Sequence, residues 1–178
     1  MNKKILTFIT VFCLVPFLSL AEYPSTSIGV VDLNKILSES DAAMNAAEQI
    51  EEIASNIENE IKESDQAIIN EQNLLIESQT IMAPEAFETK RIDYENKVQK
   101  YNSERQAKLV KIDELIATSR NEVLLTLKPI LEEIANEKGI TVLLEKSSVI
   151  LNADKMDITD SVLKMLNKEM PKLKVSRD

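Results

Sequence analysis

The reactive side chains of this sequence are almost all carboxylates and cations: thirty Asp and Glu against twenty-one Lys and Arg, no histidine, and one cysteine, Cys13. Lack of histidine removes the commonest general base and the commonest zinc ligand. The two glycines, Gly29 and Gly139, are too isolated to build a phosphate-cradling loop. Paired acids do occur, at Glu51-Glu52, at Glu58 with Glu60, and at Glu132-Glu133. On helices this long and polar nothing supplies the burial that would shift a pKa, so they read as a solvated helix face rather than acid–base machinery. Asp154, Asp157 and Asp160 suggest a calcium loop only superficially, because the spacing and the missing glycine do not match one. Capping and turn roles suit them better. No catalytic set remains, so the chain is expected to be no enzyme and to need no cofactor or metal.

Two other groups of residues suit binding rather than reaction. Tyr94 and Tyr101 are seven residues apart and share a helix face. They serve either as filler between two helices or as an aromatic platform for a partner. Ile81, Met82 and Phe87 flank the turn at Ala83-Pro84, where a buried role is hard to assign.

These candidates must be carried by a long helical hairpin. From Asp41 an apolar stripe recurs in steps of four and three through Ala43, Ala47, Ile50, Ala54, Ile57, Ile61, Ser64, Ile68, Glu71 and Leu75, with no Gly or Pro to interrupt it. Ser64 and Glu71 make the seam partly polar, and its alanines predict close packing at the base and weaker packing toward the tip. Residues 79–86 form the turn, with Pro84 at the first position of the return helix and Glu85 and Glu88 beside its positive end. The return stripe runs from Phe87 through Tyr94, Val98, Tyr101, Arg105, Leu109 and Ile112 to Ile134. Within it Tyr101, Ile112, Val123 and Ile134 are spaced by eleven, which relaxes the usual left-handed supercoil. Pro129 interrupts the hydrogen bonding of this helix and is the candidate hinge. Lys138-Gly139 closes it.

The flanks of the hairpin predict a small β-containing body made of residues 22–40 and 139–178. Strands are expected at about 28–33, 141–146 and 149–152, the last two as a hairpin, with a helical turn at 34–38 and a short helix at about 160–168. Residues 171–178 read as a frayed charged tail. Ile28, Val30, Val142, Leu144 and Ile150 are the candidate body and oligomer core. So few short strands bury too little on their own, and assembly through them is the natural remedy. The fold class is therefore α+β and mostly α: long antiparallel coiled-coil-like arms projecting from a small β-body formed by N- and C-terminal strands and completed by oligomerisation.

Residues 1–21 read as an export signal: Lys3 and Lys4, then an apolar run from Ile5 to Leu18, then Ser19-Leu20-Ala21, with cleavage after Ala21. A retained anchor and a lipidation signal using Cys13 are the rival readings. Pro16 and the short apolar run disfavour the first; the absence of small residues before Cys13 disfavours the second. Cleavage would remove the only cysteine and leave 19 basic and 30 acidic residues, a net charge of 19 − 30 = −11. Such a charge argues against nucleic acid and against strong attraction to an anionic membrane.

This order of elements resembles the Skp/OmpH family of periplasmic chaperones. The likeness rests on Ile28-Gly-Val-Val-Asp-Leu33, on Pro129-Ile-Leu-Glu-Glu-Ile-Ala-Asn-Glu-Lys-Gly139 leading into Ile140-Thr-Val-Leu-Leu144, and above all on Asp157-Ile-Thr-Asp-Ser-Val-Leu163. It implies a homotrimer whose three arms enclose a cavity and hold unfolded outer-membrane proteins without ATP. It also implies basic arm tips, and here the chain departs, with nine acidic against five basic residues between Glu60 and Lys100. Client contact is therefore expected through Ile81, Met82, Phe87, Tyr94 and Tyr101. The competing reading is a structural coiled-coil spacer of the envelope that docks one folded partner through its tips.

Overall fold

A computed structural model describes residues 25–176, so the export segment lies outside the described residues. The element order is β1 (Ile28–Val31), α1 (Leu33–Glu39), α2 (Asp41–Ser78), α3 (Pro84–Glu137), β2 (Val142–Glu145) and α4 (Thr159–Glu169), with short 3-10 turns at Lys146–Ser148 and Asp154–Met156. At 1.5 Å per residue α2 extends roughly 57 Å and α3 roughly 80 Å.

Local chemistry sets the helix boundaries. The Asp32 carboxylate accepts the Lys35 N–H at 2.9 Å to cap α1, and the Ser40 hydroxyl accepts the Ala43 N–H at 3.3 Å to cap α2. Pro84 opens α3, where its missing N–H costs nothing. At the far end Gly139 takes φ 63°, the Ile140 N–H reaches the Ala135 carbonyl at 2.8 Å and the Gly139 N–H reaches that of Asn136. That paired pattern closes the last turn of α3.

β1 and β2 pair in parallel, Ile28 opposite Val142 through Val31 opposite Glu145, and the whole arm hairpin is the crossover between them. The core lies where α4, α1 and the bases of α2 and α3 converge: Ile36, Ala42, Ala46, Val123, Leu127, Ile130, Ile134, Val162 and Leu166 are all buried there. Beyond it α2 buries only Ile57 and Ser78. Packing thus weakens toward the tip, as the partly polar seam anticipates.

Four expectations change. No strand forms at 149–152, and Ile150 and Leu151 stand 106% and 89% exposed. A hairpin would need this segment to return antiparallel along β2. Instead the 3-10 turn at 146–148 carries the chain away, and β1 supplies the only strand paired with β2 among the described residues. Val142 and Leu144, expected in the body and oligomer core, are not buried within one chain but about 40% exposed. In α2 the buried alanines are Ala42 and Ala46 rather than Ala43 and Ala47, because this end of the helix packs against the body core as well as against α3.

Residues 171–176, finally, are not frayed. Leu173 is 5% exposed within the core, Val175 packs against it, and the Gln49 side chain holds the backbone of both.

Candidate functional site

The arms leave a trough between α2 and α3. Its lower part, about 440 Å³, is floored by Ala43, Ala47 and Ala54 and walled by Ile50, Ile112 and Ile116. A second hollow of about 340 Å³ continues it past Ala54 and Ile112 to Ile61, Leu109 and Arg105. The alanines expected to bring the helices together instead leave room, since a methyl group cannot fill the space between helices at ordinary separation. The result is an open, mostly apolar surface with Glu51, Glu58, Arg105 and Arg120 at its margins. It can hold apolar side chains of varied shape, because nothing in it fixes one geometry.

Above the trough the arms are tied by polar rungs. Lys108 pairs with Glu60 at 2.9 Å, the Tyr101 hydroxyl donates to Asp65, Lys97 pairs with Glu71, and the Lys90 ammonium donates to the Ser78 hydroxyl at 3.2 Å. The hydrogen bond to Asp65, with partial burial and the Asp65 charge, raises the Tyr101 pKa above its ordinary value. Of the polar seam positions, Glu71 is thus a tie, Ser64 bonds back to the Glu60 carbonyl at 2.8 Å, and Arg105 stays exposed. Such exposed pairs hold register more than they add stability.

The tip residues are spread rather than clustered into one pocket. Ile81 is 83% exposed in the turn, while Met82 and Phe87 are half-buried. Tyr94 and Tyr101 are both half-buried on the inner side of α3. The seam reading missed a further apolar set on the outer arm, Ile69, Leu74, Ile76 and Ile92, all exposed. A signal was present: these residues are apolar yet fall off the stripe, which a helix with only one buried face has no use for.

On the body, Ile28, Val142 and Leu144 share one exposed sheet face by strand alternation, with buried Val30 among them and exposed Ile150 just beyond β2. The opposite edge of β1 is locked polar-to-polar. Asp157 bridges Val30, its carboxylate accepts the Thr159 N–H at 2.9 Å, the Thr159 hydroxyl and the Lys146 ammonium at 2.8 Å, and Thr159 in turn accepts the Asp32 N–H. Burial pushes the Asp157 pKa up, but Lys146 and the two Thr159 bonds outweigh it and hold it at about 2. Asp160 pairs with Lys35 at 2.9 Å. Pro129 is exposed and α3 runs through it unbroken, with Leu125, whose carbonyl lacks its usual donor, also exposed. Among the described residues no group of acids is arranged to hold a metal, and no helix is long and apolar enough to cross a membrane.

A family model described as outer membrane protein (OmpH-like) matches residues 27–166. Sequence comparison with curated proteins gives no match. Among solved structures, an OmpH-like protein of Caulobacter crescentus CB15, named as a candidate outer membrane chaperone, shares the fold with a TM-score of 0.79. Its sequence is 19% identical, and the match covers 86% of this chain and 90% of that one. With the family model running from the start of β1 into α4, the chain belongs to the OmpH-like family of outer membrane proteins.

Proposed function

We propose that the protein is an ATP-independent periplasmic holdase that binds unfolded outer-membrane proteins between its arms and prevents their aggregation. The observation that carries this reading is the open apolar trough along paired arms whose tips expose Ile81 and its neighbours. A surface of that kind makes many weak contacts, which suits capture and release of a chain without fixed shape. The OmpH-like family and the chaperone name of the Caulobacter relative support it. No enzymatic chemistry is part of the reading.

The working form is a homotrimer. Its support is the uncovered apolar face of Ile28, Val142 and Leu144 on a two-stranded parallel sheet that is small for independent stability. Pro129 serves as the hinge between body and arm. Export with cleavage after Ala21 places the protein in the periplasm, and the acidic surface disfavours anionic lipid.

The second reading, a spacer docking one folded partner by its tips, draws on Ile81 at the turn. Photo-crosslinking from Met82, Phe87 and Ile116 in the cell envelope separates the two. A holdase gives many products from all three sites, whereas one product confined to the tip positions establishes the spacer.

A further inference from the structure

The C-terminal segment sits on the base of the arms in a way that resembles a bound peptide. Along 172–176 burial alternates: Lys172, Lys174 and Ser176 are exposed, Leu173 is buried and Val175 half-buried. This period of two is that of an extended chain with one face down. A single carboxamide holds its backbone. Gln49 Nε2 donates to the Leu173 carbonyl at 2.7 Å and Gln49 Oε1 accepts the Val175 N–H at 3.1 Å. Carbonyl i and N–H i+2 are the two groups that one residue of a parallel neighbouring strand would engage. Gln49 therefore replaces a strand edge, and Asn45, which accepts from the same Nε2 at 3.0 Å, fixes its orientation. Both of these hydrogen bonds go to the backbone of the tail. Below it Val175 and Ser176 line a hollow of about 210 Å³ with Leu115, Thr118, Ser119 and Glu122 of α3.

Recognition through backbone with alternate side chains seated is insensitive to sequence and sensitive to pattern. Strands of outer-membrane barrels carry that pattern, apolar on every second residue. We propose that this seat is a site for extended, alternately apolar segments of an unfolded client, occupied at rest by the chain's own residues 171–176, which a client strand displaces. The proposal rests on the holdase reading and adds to it a second, strand-specific contact outside the trough.

The test uses the mature chain and a fluorescently labelled peptide of residues 168–178, followed by anisotropy. Val175→Asp loosens the resident tail without altering its seat, and Val175→Ser is a milder version should the first fold poorly, with circular dichroism as the check. The peptide is expected to bind the tail variants about tenfold more tightly than the wild type. Adding Gln49→Ala should abolish that gain, and a reordered peptide with Leu and Val adjacent should bind about tenfold more weakly. Equal affinity for wild type and folded tail variants, or indifference to Gln49→Ala, overturns the proposal. Suppression of client aggregation by the wild type, measured in parallel, belongs to the parent reading. Suppression with unchanged peptide affinities overturns this seat alone. Absent suppression with peptide binding in the expected order overturns the holdase and leaves a site for extended segments.

Discussion

Asp157 joins the turn at 146–148 to the start of α4 through one carboxylate, and its low pKa makes that junction measurable. A carboxylate held at about 2 against an ordinary 3.8 contributes stability that is fully present above the unfolded value and is lost as pH falls from about 4 through 2. Asp157→Asn is expected to cost about 2 kcal/mol at pH 7, the difference closing toward pH 2, as read from urea midpoints. A difference of the same size at both pH values would contradict the lock. The capping role of this acid was legible in the sequence, because an Asp two residues before a helical Thr acts on its own backbone. The role of Gly29 was not. A Cβ there would lie 2.8 Å from Ile140 Cδ1 and 3.2 Å from Leu143 Cδ1. Gly29→Ala should therefore lower stability by about 1 kcal/mol, a modest figure because Ile140 Cδ1 is the end of a side chain that can shift. Such a contact spans more than a hundred residues of chain and leaves no local mark.

At the scale of elements the arms are two materials joined end to end, apolar at the base and polar above. Leu127→Ala, at a site 1% exposed, should cost about 3 kcal/mol, and Leu109→Ala, at one 43% exposed, less than about 1 kcal/mol. Amides between residues 60 and 100 should exchange with deuterium faster than those between 115 and 134, and more so in 1 M salt, which screens the rungs. Pro129→Ala restores a donor to the Leu125 carbonyl and should slow exchange around it, and unchanged exchange would remove the hinge. The hairpin was readable because helix signals are local: Pro84 and Gly139 mark the ends of its return helix, and the steps of four and three mark its seam. The segment 149–152 misled because β-branched residues record a preference while a strand requires a partner, and here the neighbouring edge is unmet within one chain. The docked tail escaped notice for a related reason, since its anchor, Gln49, lies 124 and 126 residues away.

The whole molecule pairs a small body with long arms, a shape that leaves apolar surface open at both ends. At the body this favours assembly. Light scattering on the mature chain should give three times the protomer mass, and Val142→Asp should dissociate it, since an unpaired charge would be buried at the joint. A folded monomer at micromolar concentration would refute the trimer. Along the arms the open apolar trough suits the capture proposed for it. The most direct test of the account is light scattering from an unfolded outer-membrane barrel protein diluted out of urea, with and without this protein and without ATP. Holding by the arms predicts that aggregation is suppressed to completion near one trimer per client. Aggregation that proceeds unchanged in a several-fold excess of trimer would contradict it.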